Sequence, residues 1–190
     1  MINLRKTLND AHTVLTQAGV LHALIGGFAL AAYGQHRATA DIDLLADGLK
    51  KEVIKSELIK KGFTLKHESA EVLQFSGIGF LDILLANRPL SQEMLKRAHL
   101  NQELNVYVLK PEDIIGLKIQ AYKNDTTREL QDKADIQKLL DTGVKHFPSE
   151  RVLLFDTQSA NKHRHQKSRD LIIRPRAITN SANKGIHLSE

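Results

Sequence analysis

Leu4, Leu8, Val14 and Leu15 fall near helical spacing, and Gly19 follows where a helix would be capped, so residues 3–18 are expected to form an amphipathic helix. The pattern then shortens. Val20 to Ile25 is an apolar run suited to a buried strand, Gly26-Gly27 interrupts it, and the small-residue run Phe28 to Tyr33 suits a short helix closed by Gly34. Thr39 to Leu45 alternates, with Asp41 and Asp43 on one side and Ile42 and Leu44 on the other, as a strand does. Leu49, Val53, Ile54 and Leu58 share one helical face, which predicts a helix over 49–61 that Gly62 stops.

Three short β-like runs come next, Phe63–His67, Val72–Phe75 and Phe80–Leu85, followed by a helix over 89–99 and an alternating strand over Leu104–Leu109. Pro111, with Glu112 and Asp113 behind it, opens a helix that is expected to run to about Lys123. Thr126 and Glu129 have the spacing of a capping box for a last helix to about Asp141. This order predicts an α/β (α+β) domain, a mixed sheet flanked by helices with a C-terminal helical part, over residues 1–149. Beyond Phe147-Pro148 the chain turns polar and basic, and residues 150–190 read as a weakly structured tail.

Two carboxylates at alternate strand positions point to the same side. Asp41 and Asp43 would therefore stand together above a core formed by Ile42, Leu44 and Leu45. Such a pair repels itself unless a cation neutralises it, and oxygen-only ligands favour magnesium, with manganese as the alternative. Upstream, Gly26-Gly27 lies where a strand passes into a helix, and residues without side chains let backbone N–H groups approach a phosphate there. Downstream, Asp82 is the only charge in the run Phe80-Leu81-Asp82-Ile83-Leu84. Placed beside the strand of Asp41 and Asp43, it would complete a metal site and accept a proton from an attacking hydroxyl. Each element alone is commonplace, since Gly-Gly is usually a turn and Asp-x-Asp usually a solvated strand face. Their combination in this order carries the signal.

Composition narrows the classes further. Of 190 residues, 42% are hydrophobic and 26% charged, as in an ordinary globular protein, and no run approaches membrane-spanning length. There is no cysteine, which excludes disulfides and thiolate ligands. The N-terminus leads into an amphipathic stretch instead of an apolar signal core, so a cytoplasmic location is expected. A formal charge of +5 suits a polyanionic partner, although on charge alone an ordinary basic protein is the leading reading. His163-x-His165 has no further ligand cluster and is set aside as part of the solvated tail. His36 reads as exposed, while Tyr122 and Phe28 read as packing residues rather than base-stacking ones. No P-loop lysine motif, zinc-protease helix or serine triad order is present.

Residues 24–45 resemble the signature of the DNA polymerase beta-like nucleotidyltransferase superfamily, in which Gly-Gly or Gly-Ser, a short helix and Asp-x-Asp succeed one another, with Asp82 matching the later carboxylate. Arg37-x-Thr39-x-Asp41-x-Asp43 is similar to the variant found in bacterial members, among them abortive-infection type IV toxin nucleotidyltransferases. The resemblance continues through Leu117-Lys118 to Asp132 and Asp135-Ile136 and covers about residues 20–141. Gln131 departs from it, standing where lysine is usual, with Lys133 or Arg128 as substitutes.

What the resemblance implies is a polymerase beta-like nucleotidyltransferase fold and transfer of a nucleoside monophosphate from a triphosphate such as ATP to an acceptor hydroxyl. Asp41 and Asp43 would hold two magnesium ions, and Asp82 would join the catalytic one. Gly26, Gly27, Arg37, Thr39 and Lys118 are the candidate nucleotide-binding residues. Arg37 and Thr39 would contact phosphate or brace the loop before the aspartates, and Lys118 would reach the phosphates or stand as a surface residue of an amphipathic helix. For Asp132 and Asp135, salt bridges or caps that hold the last helices are the leading reading. RNA or protein in a toxin–antitoxin-like setting is the first expectation for the acceptor. An aminoglycoside-type small molecule is the second, and a non-catalytic nucleotide- or nucleic-acid-binding relative is the alternative class.

Overall fold

The structure is a computed structural model and describes residues 2–141. Helix α1 (Leu4–Gln17) starts at Asn3, whose side chain accepts a hydrogen bond from the Lys6 N–H, and buries Leu8, Ala11 and Leu15. Strand β1 (His22–Ile25) is buried throughout and runs straight into α2 (Gly26–Ala31). Then come β2 (Asp41–Asp47), a 3-10 turn, α3 (Lys51–Lys60), and the meander β3 (Thr64–Glu68), β4 (Val72–Ser76) and β5 (Phe80–Ala86). Helix α4 (Pro89–Lys96), β6 (His99–Asn101) and β7 (Val106–Val108) precede the helices α5 (Pro111–Asn124) and α6 (Glu129–Asp141).

The seven strands form one mixed sheet in the order β3-β4-β5-β2-β1-β7-β6. The β2–β5 and β1–β7 pairs are parallel and the other four antiparallel. Alternation divides the central strands into two faces. Ile42, Leu44, Leu81, Ile83, Leu73 and Phe75 are buried on one, where α1 lies on β2 and β5 and packs against α3 through Leu8, Leu15, Ile54 and Leu58. Asp41, Asp43 and Asp82 therefore belong to the opposite face. The hydrophobic seam anchors the strands from below, and the register it imposes decides which polar side chains meet above.

Several expected boundaries move. The helix expected over 89–99 ends at Lys96, because His99–Asn101 pairs antiparallel with β7 as an edge strand. The strand expected over 104–109 shrinks to Val106–Val108, since Asn105 takes a left-handed turn conformation at φ 50°. The helix expected from Leu49 begins at Lys51, and Leu49, assigned to its apolar face, is 90% exposed. The final helix starts at Glu129 after a 3-10 turn, where Asp125 accepts hydrogen bonds from the Thr127 N–H at 3.0 Å and its hydroxyl at 2.6 Å. Among the described residues no helix is long and apolar enough to cross a membrane. The basic segment 150–190 and His163-x-His165 lie outside the described residues.

Candidate active site

A single row across the sheet assembles the acidic centre. Asp43 of β2 stands beside Asp82 of β5 in parallel register, and Ile25, the last residue of β1, stands beside Asp43 on the other side. Cross-strand neighbours in register share a face. Asp41 lies two positions before Asp43 and joins them, so that one carboxylate oxygen from each of Asp41, Asp43 and Asp82 lies within 4.8 Å of the others. Asp43 and Asp82 are only 7% and 8% exposed.

The turn out of β1 gives the centre its shape. Gly26 has φ +66°, and a Cβ there would come within 2.6 Å of the Asp43 Cγ and overlap its carboxylate. Both the conformation and the close approach demand glycine. A Cβ on Gly27 would instead meet the Arg37 guanidinium and the Thr39 hydroxyl, each at 2.9 Å. The two glycines thus press the start of α2 against Asp43 on one side and the segment leading to Asp41 on the other. That segment is tied to the centre, because the Thr39 hydroxyl donates to Asp41 Oδ1 at 2.9 Å.

Burial, reinforced by Asp41 and Asp82 and only partly offset by the cations of Arg128 and Lys118, pushes the Asp43 carboxyl up to about 8. A site that raises a carboxyl in this way is one a cation relieves. Three hard oxygen donors converging on one spot fit Mg2+ or Mn2+.

A second charged cluster lies behind the first. Lys118 of α5 is 6% exposed, and its Nζ donates to Asp132 Oδ1 at 3.0 Å and Asp135 Oδ2 at 2.7 Å, both on α6. Arg37 Nε lies 3.3 Å from the same Asp135 oxygen, and Arg128 Nε lies 3.4 Å from Asp132 Oδ2. Gln131 donates to Asp135 Oδ1 at 3.1 Å. Asp135 therefore links the last two helices to the segment that carries Thr39 and Asp41. Lys118 is no surface residue, contrary to one of its two expected roles. Burial of an ammonium is tolerable because two carboxylates receive it.

The expected site residues gather as three carboxylates, the two glycines, Arg37 and Thr39, with Lys118 joined to Arg37 through Asp135. His36 is exposed, and Phe28 packs at the edge of the core. Tyr122 is half-buried, with the Lys133 ammonium 5.8 Å from its ring centre. The sequence reading missed Gln74. Its amide donates to Asp82 Oδ2 at 2.9 Å from the neighbouring strand β4. A lone polar residue within Val72-Leu73-Gln74-Phe75 is the signal that marks it, but only pairing with β5 gives that residue a partner.

No protein-family model matches the sequence, and no curated protein matches it. Solved structures do. The antibiotic-resistance factor ANT(2'')-Ia superposes with a TM-score of 0.62 at 14% identity, over 85% of this chain and 96% of that one. An antigenic nucleotidyltransferase-like protein from Paracoccidioides brasiliensis gives 0.53 at 18% identity, over 84% and 88%. The lincosamide antibiotic adenylyltransferase LnuA, in a lincomycin-bound structure, gives 0.53 at 18% identity, over 72% and 96%. The mixed sheet with its flanking helices is thus the nucleotidyltransferase fold.

Proposed function

We propose that this chain is a divalent-metal-dependent nucleotidyltransferase that moves a nucleoside monophosphate from a nucleoside triphosphate to an acceptor hydroxyl. One observation carries the reading: the oxygens of Asp41, Asp43 and Asp82 converge beside a side-chain-free turn, Gly26-Gly27. Asp41, Asp43 and Asp82 would hold magnesium, or manganese, which when bound offsets the charge of the triphosphate and of the reacting oxygens.

The chain's own groups then have defined tasks. Gly26 and Gly27 let the turn pack against Asp43, Arg37 and Thr39, which brings its backbone N–H groups beside the carboxylates for a phosphate. Arg37, braced by Asp135, sits against Gly27 and supplies a cation on the same side. Thr39 holds Asp41 in place. Asp82 lies on the side of Asp43 away from β1 and takes the proton of the acceptor hydroxyl. The hydroxyl oxygen bonds to the α-phosphorus, the bond from that phosphorus to the bridging oxygen breaks, and pyrophosphate leaves with the electron pair. Lys118 acts indirectly, since both of its carboxylate partners also meet arginines.

For the acceptor, RNA or protein in a toxin–antitoxin-like setting is the first reading, and the +5 formal charge of the chain suits the polyanion RNA. A small-molecule acceptor is the second reading, favoured by the match to nearly the whole of ANT(2'')-Ia, which has been captured with adenylyl-2''-tobramycin.

The test is incubation with each labelled triphosphate and Mg2+ against cellular RNA, cellular protein and an aminoglycoside and lincosamide panel. Label on one acceptor class, lost in the Asp41→Ala, Asp43→Ala double variant, is the expected result. Transfer that survives the double variant would sink the mechanism. A triphosphate that stabilises the protein with Mg2+ while no acceptor is ever labelled would favour a non-catalytic binding relative.

A further inference from the structure

We infer that Gln74 is a positioning residue: by holding Asp82 it sets the affinity of the carboxylate triad for its metal. This rests on the metal-dependent reading above. Gln74 stands opposite Asp82 in the β4–β5 ladder, between Leu73 and Phe75, which are fully buried on the other face. Its Nε2 donates to Asp82 Oδ2 at 2.9 Å. An ionised carboxylate only accepts hydrogen bonds, so a side chain that orients it has to be a donor.

The choice of donor matters. Lysine or arginine at this position would orient Asp82 but place a cation where a metal has to enter, and glutamate would add repulsion to a centre already crowded with like charge. A neutral amide fixes the carboxylate plane and leaves its charge for the metal. The opposite flank uses the same device, because the neutral hydroxyl of Thr39 donates to Asp41 Oδ1 at 2.9 Å. Asp43, between them, is confined by the backbone of Gly26. Asp82 and Asp41 thus each accept a hydrogen bond from a neutral donor. Hydrogen-bond partners of metal ligands set affinity in this way, and losing one weakens metal binding by roughly 10- to 100-fold.

The experiment titrates metal-free protein with Mn2+ by calorimetry, for wild type, Gln74→Met and Asp82→Asn, and records the melting temperature of each metal-free form. Gln74→Met keeps the length of the side chain and removes the donor. Mn2+ binding about tenfold weaker than wild type, with a near-wild-type melting temperature, is expected. With Mg2+ in the assay, the concentration for half-maximal transfer should rise by about the same factor while the rate at saturating Mg2+ recovers. Gln74→Leu, which also lacks a donor, should follow Gln74→Met and serves if that variant fails to fold. Unchanged Mn2+ affinity in both Gln74 variants, with Asp82→Asn weakened, overturns the inference and leaves the metal-dependent reading standing. Wild-type protein that binds no Mn2+ overturns both.

Discussion

Gly26 lies directly against Asp43, so close that a Cβ on the glycine would come within 2.6 Å of the aspartate's Cγ. The contact follows from register. Ile25 is paired with Asp43, and the chain turns at the next residue with φ +66°, folding its backbone over the carboxylate. Gly26→Ala is therefore expected to displace Asp43, cost about 1–3 kcal/mol for the strained backbone, and reduce transfer at least about 100-fold. Gly27→Ala meets only the ends of two side chains, Arg37 and Thr39, and should be milder. Urea denaturation and transfer rates measured on both variants check the order.

The Asp43 carboxyl is pushed up to about 8 from its ordinary 3.8, first by burial and then by Asp41 and Asp82. An acid whose folded value is raised favours the folded state while protonated. Its contribution is complete below about pH 4 and is lost as pH rises through about 8. Metal-free protein should lose this component of stability over that window, and Asp43→Asn should abolish the loss. Metal has to displace the proton, so Mn2+ affinity should climb with pH up to about 8. Flat affinity between pH 6 and 8 would contradict the assignment.

His22 titrates in the opposite sense. It is buried on β1, its Nδ1 is 2.7 Å from the Val20 carbonyl, and its Nε2 is 2.8 Å from His12 Nδ1. Burial is the main cause that lowers it to about 4 from 6.5, with the charge of His12 as a smaller one. A histidine kept neutral contributes stability that is complete above about 6.5 and lost as pH falls through about 4. The loss amounts to about 3 kcal/mol at 1.36 kcal/mol per unit. Melting curves of wild type and His22→Asn between pH 4 and 7 should converge at low pH, because only wild type carries this slope.

Asp135 receives Lys118 at 2.7 Å and Arg37 at 3.3 Å while fully buried itself. Asp135→Ala strips a shared partner from two cations and should cost about 3–5 kcal/mol, as losing one side of a buried pair does. Because Arg37 borders Gly27 and Thr39, transfer should fall beyond what the lost folded fraction explains. Lys118→Met should cost less than Asp135→Ala, since Arg37 and Arg128 still face the two carboxylates. The reverse order in chemical denaturation would argue against Asp135 as the link.

The Gly-Gly turn, the strand of Asp41 and Asp43 and the later strand of Asp82 were legible because each depends on neighbours two to four residues away. Where local pattern competed with pairing, pairing prevailed. His99–Asn101 reads as the end of a helix and forms a strand because β7 offers hydrogen bonds to its backbone. Leu49 reads as core and lies in solvent because a 3-10 turn precedes α3. Lys118 fits an amphipathic helix surface, yet two carboxylates on α6 pay for its burial.

The sequence by itself determined the kind of chemistry available: oxygen ligands without sulfur, two aspartates on one strand face, and a glycine pair between a strand and a helix. Those are consequences of residue type and of a two-residue period, which act over a few positions. Tertiary structure decided which side chains meet. Parallel pairing of β2 with β5 set Asp82 beside Asp43, antiparallel pairing of β4 set Gln74 beside Asp82, and packing of α5 against α6 enclosed Lys118. Register and helix packing depend on apolar burial summed over the whole domain, so no local window of the chain contains them.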